Sequence, residues 1–202
     1  MSTATTYPDS PYGFTPVTHQ GPYRAADYWQ LPEGERLELL RGELVMSPSP
    51  HTLHQIVVIL LAELFVGISR RSGGFALCSP ADVVLSDDTV LQPDILSIAA
   101  ARRNIVGDRI QGPPDLVIEV ISPGAERRDR VEKLDLYAKY GVAEYWIVDP
   151  RPRTFDFLLL EGSRYSVVTG VDNRYRSPRA PEVEIDLAGF WAEVAERWPQ
   201  RW

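Results

Sequence analysis

The chain has 202 residues, 44% of them hydrophobic and 24% charged, with a formal net charge of -7. That length suits one domain able to bury roughly two thirds of the surface its unfolded form exposes, and the composition is that of a globular protein, which excludes disordered and membrane classes. The acidic balance excludes broad affinity for the nucleic-acid backbone, where binding energy comes largely from Lys and Arg displacing counterions, so any such contact is expected to be local.

Cys78 is the lone cysteine and cannot form an internal disulfide, and no succession of basic, apolar and small residues opens the chain. A cytoplasmic protein is expected. The longest apolar run, Ile56 to Val66, is interrupted by Glu63 and falls short of the roughly 20 residues that span a bilayer. It reads as part of a core helix, with no membrane partner.

Residues 1–22 are rich in Ser, Thr, Pro, Gly and Gln without a sustained period. Such a stretch buries too little apolar surface to offset its ordering entropy, and a flexible tail is expected, with one domain over residues 23–202. A short amphipathic piece follows at Ala25 to Leu31. Arg36 to Leu40 and Glu43 to Met46 flank Arg41 and Gly42 as a hairpin. Ser49 as cap, Pro50 in the first turn and the Gly73, Gly74 pair at the end predict a helix from Pro50 to Arg71. Past its polar first turn this helix is apolar nearly all round, which calls for burial on several sides and is compatible with a homodimer.

Three strands are predicted next, at Phe75–Cys78, Asp82–Leu85 and Val90–Ile98, together a meander. Asp115 to Ile121 is apolar on both alternating faces except at Asp115 and Glu119, the pattern of a central strand covered on both sides. A helix from Ala125 to Tyr140, ended by Gly141, and a strand Glu144–Val148 complete a β-α-β unit. Val131, Leu134 and Ala138 are expected to form that helix's buried stripe, with Arg130, Lys133 and Tyr137 at its margin. Thr154–Leu160 and Arg164–Thr169 read as an edge hairpin, and Leu187–Trp198 as a closing helix with Phe190, Trp191 and Val194 packed. The expected class is α/β of mixed type: a central mixed sheet flanked by helices.

Glu119 is the residue out of place, because an ionised carboxylate inside an apolar strand costs several kcal/mol unless it is paired or metal-bound. Two Pro-Asp pairs offer a second carboxylate. Asp115 lies four residues along the same strand, about 13 Å away at roughly 3.3 Å per residue, too far to share an ion, and is read as a residue at the strand's mouth near solvent. Asp94 can come from the adjacent strand, where neighbours lie about 5 Å apart. Lys133, at the helix margin, can lay its stem on the core and carry its ammonium to the end of the preceding strand.

The segments "LQPDILSI" and "GPPDLVIEVISPGAERRDRVEKLDLYAKYGVAEYWIVDP", with the upstream "LELLRGELVMSPSPHTLHQIVVILLAEL", resemble the bacterial "putative restriction endonuclease" family of the PD-(D/E)XK nuclease superfamily. The resemblance spans Tyr23 to Asp186 and is strongest over Pro113 to Pro150. It implies a restriction-endonuclease-like fold and a divalent cation, Mg²⁺ or Mn²⁺, on the carboxylates of Asp94 and Glu119. The superfamily's lysine two residues after the glutamate is Ile121 here, and relatives of this form move it to the following helix, at Lys133. The chemistry implied is hydrolysis of DNA phosphodiester bonds. Mg²⁺ takes oxygen ligands and keeps several waters, so two carboxylates and a backbone carbonyl, that of Val120, would hold it.

Arg127 and Arg130, in the first turns of that helix, suit phosphate contacts, with ordinary surface charge as the alternative. Of Glu38 and Glu43, either of which could add the superfamily's early carboxylate, Glu43 is favoured. His51 and His54 could hydrogen-bond near the site, but without Cys or HExxH spacing they read rather as structural. Two functions stay open: a Mg²⁺-dependent DNA endonuclease, and a nucleic-acid-binding or interaction module that keeps the fold with impaired catalysis, a reading favoured by the acidic charge and by Ile121.

Overall fold

A computed structural model describes residues 21–31, 36–47 and 50–198. The expected tail up to residue 20 and the cap at Ser49 lie outside the described residues. The elements run α1 (Ala25–Tyr28), β1 (Leu37–Leu40), β2 (Glu43–Met46), α2 (Thr52–Ser72), β3 (Phe75–Cys78), β4 (Val83–Ser86), β5 (Thr89–Leu91) and β6 (Ile95–Ile98). They continue with β7 (Ile110–Gln111), β8 (Leu116–Val120), a π-helical turn (Arg128–Lys133) leading into α3 (Leu134–Tyr140), β9 (Glu144–Asp149), β10 (Thr154–Glu161), β11 (Arg164–Val168), β12 (Arg174–Arg176), β13 (Glu184–Asp186) and α4 (Leu187–Arg197).

The strands form a mixed six-stranded sheet ordered β11-β10-β9-β8-β6-β3, a five-stranded sheet ordered β2-β1-β5-β4-β7, and the small β12-β13 pair. β8 lies inside the larger sheet with every residue buried. It pairs in parallel with β9 across the β-α-β unit and antiparallel with β6. Its odd and even positions serve different cores. Ile118 and Val120 pack with α2 and α4 through Val57, Leu61, Phe65 and Val194, while Val117 and Ile121 pack with Leu136 and Tyr137 of α3 and with Leu40, Val83 and Leu91 of the smaller sheet. α2 is long and apolar enough to cross a membrane by length and composition, but Val57, Leu61 and Phe65 are fully covered by the sheet and α4.

The hairpin β1-β2 turns where Arg41 (φ 51) and Gly42 (φ 82) both take left-handed backbone, the two-residue turn whose twist matches its strands. Three expectations need correction. The predicted meander is split between sheets: β3 and β6 pair in the larger one, β4 and β5 in the smaller. The predicted strand Val90–Ile98 breaks between Leu91 and Ile95, where Pro93 has no N–H to give a ladder. The helix after β8 also has a different phase: Val131, expected inside, is 56% exposed, while Lys133 and Tyr137 are buried. In a π turn the i→i+5 bonding widens the coil, so Asp129, Lys133 and Tyr137, four residues apart, stay nearly in line on the face toward β8. The short strands β7, β12 and β13 are too brief to leave a period in the sequence.

Candidate active site

Asp94 stands one residue before β6, whose first residue, Ile95, faces Ile118 of β8, and Asp94 and Glu119 both line one cleft. Asp94 leaves the ladder at Pro93, and its carboxylate takes over the strand's role: Oδ2 accepts the Val120 N–H at 2.8 Å and lies 3.1 Å from His54 Nε2. The N–H and C=O of one strand residue point to the same edge, so the Val120 carbonyl also faces the Asp94 side.

Lys133 is the centre of charge. Its ammonium donates to Glu119 Oε1 at 2.9 Å, lies 3.0 Å from Glu38 Oε1, and stands 3.9 Å from Asp129 Oδ1. Exposure is 4% at Lys133, 3% at Glu119, 1% at Glu38 and 5% at Asp129. Tyr137 donates its hydroxyl to the same Glu119 oxygen at 2.8 Å. Glu38 is held in turn by the Gln92 N–H at 2.7 Å and by Ser47 Oγ at 3.2 Å. One ammonium thus serves three buried carboxylates, with Asp94 beside them.

The titration of these groups follows from that imbalance. Burial pulls the Lys133 ammonium down, but Glu119, Glu38 and Asp129 outweigh it and hold it above the usual lysine range. Lys133 therefore stays charged and acts as a donor. Burial pushes Glu119 well up, opposed by Lys133 and reinforced by Asp94, Asp129 and Glu38. Asp129 is pushed up to about 6 by burial, again against Lys133, with Asp94 and Glu38 adding repulsion. The pocket carries more negative charge than its lysine neutralises, and protons or a cation must make up the difference.

A cleft of about 670 Å³ opens over this cluster, lined by Asp94, Glu119, Val120, Asp129 and Lys133, with Arg36 and Arg128 on its walls. Several sequence assignments change here. Glu43 is exposed and pairs across from Leu40 beside the turn. The early carboxylate in the cluster is Glu38, two rungs away. Arg127 is 86% exposed beside Glu132, and Arg130 is bound to Asp156 at 2.5 Å and to Asp149 at 3.6 Å, which clamps the helix to β9 and β10. Neither lines the cleft. Asp115, by contrast, sits where expected, at the opposite end of β8, accepting from the Ala99 N–H and from Arg102.

The sequence reading missed Asp129 and gave His54 and Glu38 the lesser role. Glu38 carried the same signal as Glu119: a carboxylate inside a strand, LELL, whose every residue is buried. Asp129 was legible in the four-residue spacing Asp129, Lys133, Tyr137.

The model of the Uma2 family, described as "Putative restriction endonuclease", matches residues 25–195. The chain belongs to this family. No curated protein matches it. Among solved structures it is similar to that of "a putative nuclease belonging to DUF820 from Anabaena variabilis ATCC 29413", with a TM-score of 0.74 at 18% identity, covering 86% of this chain and 99% of that one. At that identity the likeness establishes a shared fold. The Uma2 match spans β1 through α4, so Glu38, Asp94, Glu119 and Lys133 all belong to the family's matched region.

The residues can be tested against a divalent cation on their own chemistry. Among the described residues no three His, Cys, Asp or Glu side chains are grouped so as to hold a metal ion by themselves. Asp94 and Glu119, the Val120 carbonyl and an uncompensated negative charge fit a hard ion that takes few protein oxygens and keeps waters. Asp94 uses Oδ2 for its hydrogen bonds, and no described residue donates to Oδ1.

Proposed function

We propose that this member of the Uma2 family is a Mg²⁺- or Mn²⁺-dependent endonuclease that hydrolyses phosphodiester bonds in DNA. The observation that carries the reading is that Asp94 and Glu119 line one open cleft, with the Lys133 ammonium 2.9 Å from Glu119. Asp94, Glu119 and the Val120 carbonyl would hold the cation, which when bound polarises a phosphate oxygen and makes water a better nucleophile.

The remaining work falls to the chain's own groups. An ammonium has three donors. Two of those on Lys133 go to Glu119 and Glu38, and the third is available to orient the attacking water and to offset charge on the phosphate as the water oxygen bonds to phosphorus. Because Lys133 stays protonated, the water's proton must pass to another group, and Asp129, a cleft carboxylate pushed up to about 6, is suited to accept it. The P–O bond opposite the incoming oxygen breaks, and the departing alkoxide takes a proton from solvent. Arg36 and Arg128 are the wall residues suited to the flanking phosphates.

The test is conversion of supercoiled plasmid to nicked and linear forms with Mg²⁺ or Mn²⁺, against EDTA and against Asp94→Ala. Metal-dependent nicking lost in Asp94→Ala is the expected result. Plasmid bound but never cut, by folded protein with saturating Mn²⁺, would favour the impaired binding module.

A further inference from the structure

His54 is used by none of the steps above, yet it is more than an element of packing. It stands in the second position after the start of α2, 7% exposed, with Nε2 3.1 Å from Asp94 Oδ2. The same oxygen accepts the Val120 N–H at 2.8 Å. A carboxylate oxygen holding two donors from different elements, one from α2 and one from β8, cannot rotate about its Cβ–Cγ bond without losing both. The other carboxylate oxygen is thereby fixed in direction. His54 Nδ1 meets Gln55 Nε2 at 3.5 Å. An amide donating there leaves Nδ1 as acceptor and puts the proton on Nε2, the tautomer that donates to Asp94. His54, Gln55, Asp94, Glu119 and Val120 all line the one cleft.

We infer that His54 is a positioning residue: it fixes the rotamer of Asp94 so that Oδ1 is presented to the cation, and so sets divalent-cation affinity without touching the ion. The inference rests on the reading of Asp94 as a cation ligand. It has the logic of an outer-shell hydrogen bond on a metal-ligating side chain, whose loss typically costs about 10- to 100-fold in metal affinity. Here the usual order is reversed, with the carboxylate as ligand and the imidazole as its support.

The experiment is calorimetric titration of the full chain with Mn²⁺ alone, no nucleic acid present, for wild type, His54→Leu and His54→Gln, with thermal unfolding of each followed in EDTA. Glutamine can put its Nε2 donor near the place of the imidazole Nε2–H; leucine fills the space and donates nothing. The expected result is Mn²⁺ affinity lowered about 10- to 100-fold in His54→Leu and kept close to wild type in His54→Gln. If His54→Leu does not fold, His54→Asn, whose amide is too short to reach Oδ2, replaces it with the same expectation. Equal affinity in wild type and His54→Leu overturns the inference while leaving the cation site standing, as does loss of affinity in both variants in proportion to a lowered melting temperature. A folded wild type that binds no Mn²⁺ overturns this inference and the proposed function together.

Discussion

Replacing Lys133 by methionine tests the electrostatic core of the site, because it keeps most of the apolar stem and removes the ammonium, its charge and its donors together. Ion contacts of about 3 Å are each worth roughly 5 kcal/mol at an effective dielectric of 20, before the cost of desolvating the ions is subtracted. Removing one partner of a buried pair typically costs about 3–5 kcal/mol, since the charges left behind lose their compensation. For a chain of this size that corresponds to a fall in melting temperature of about 6–20 °C. The loss should depend on pH in a defined direction. Without the ammonium, Glu119 and Asp129 lose the attraction that now lowers them, and the fold disfavours their ionised forms even more. Their folded pKa values then lie further above the unfolded ones. Such groups leave stability intact below the unfolded pKa and withdraw it as pH rises through the folded values. Thermal unfolding by circular dichroism in EDTA should therefore show a small deficit near pH 5 and the full one at pH 8. Saturating Mg²⁺ should recover part of it at pH 8 by binding the folded state alone. A deficit of the same size at both pH values, or none at pH 8, would refute the claim that Lys133 neutralises this cluster.

In the same plasmid assay Glu38→Gln should slow nicking at least tenfold, by loosening the hold on the Lys133 ammonium, and Glu43→Gln should match wild type; equal losses would return the early carboxylate to Glu43. Arg36→Ala and Arg128→Ala should each flatten the dependence of DNA affinity on salt by about one unit of slope, measured by fluorescence anisotropy, whereas an unchanged slope would remove them from the phosphate path. Asp129 keeps its proton in the fold up to about pH 6, against an ordinary value of 3.8. The folded state thus holds a proton that the unfolded chain has released between those values, and metal-free stability should fall with rising pH across that window. The loss is at most about 3 kcal/mol. Urea unfolding of Asp129→Asn in EDTA should lack this fall, and an unaltered pH profile would show that Asp129 titrates normally.

The large elements were legible because burial imposes a period. LVIEV and EYWIVD are apolar runs for a sheet covered on both faces, α2 is a long run apolar nearly all round between Pro50 and Gly73, and α4 carries a helical period that survives into the fold. What failed had no period to read. Two strands that look like one, Val90–Ile98, are divided by a proline that sends the chain from one sheet to the other. The site was legible wherever a charge stood in a place that packing forbids, and so Glu119 led directly to a neighbouring cation. Glu38 met the same criterion but was passed over, since LELL in a hairpin can be buried on one face or on both, and only the packing of the smaller sheet against α3 decides between them. The arginines failed for a related reason. A helical wheel with 3.6 residues per turn assigns the face of every side chain, and the π turn over Arg128–Lys133 shifts that assignment. It turns Arg130 toward Asp149 and Asp156, leaves Arg128 on the cleft wall, and carries Lys133 inward. In the widened turn Lys133, on the helix that covers β8, stays in line with Asp129 and Tyr137 and brings its ammonium to Glu119, across space from the position that Ile121 holds in the strand's continuation.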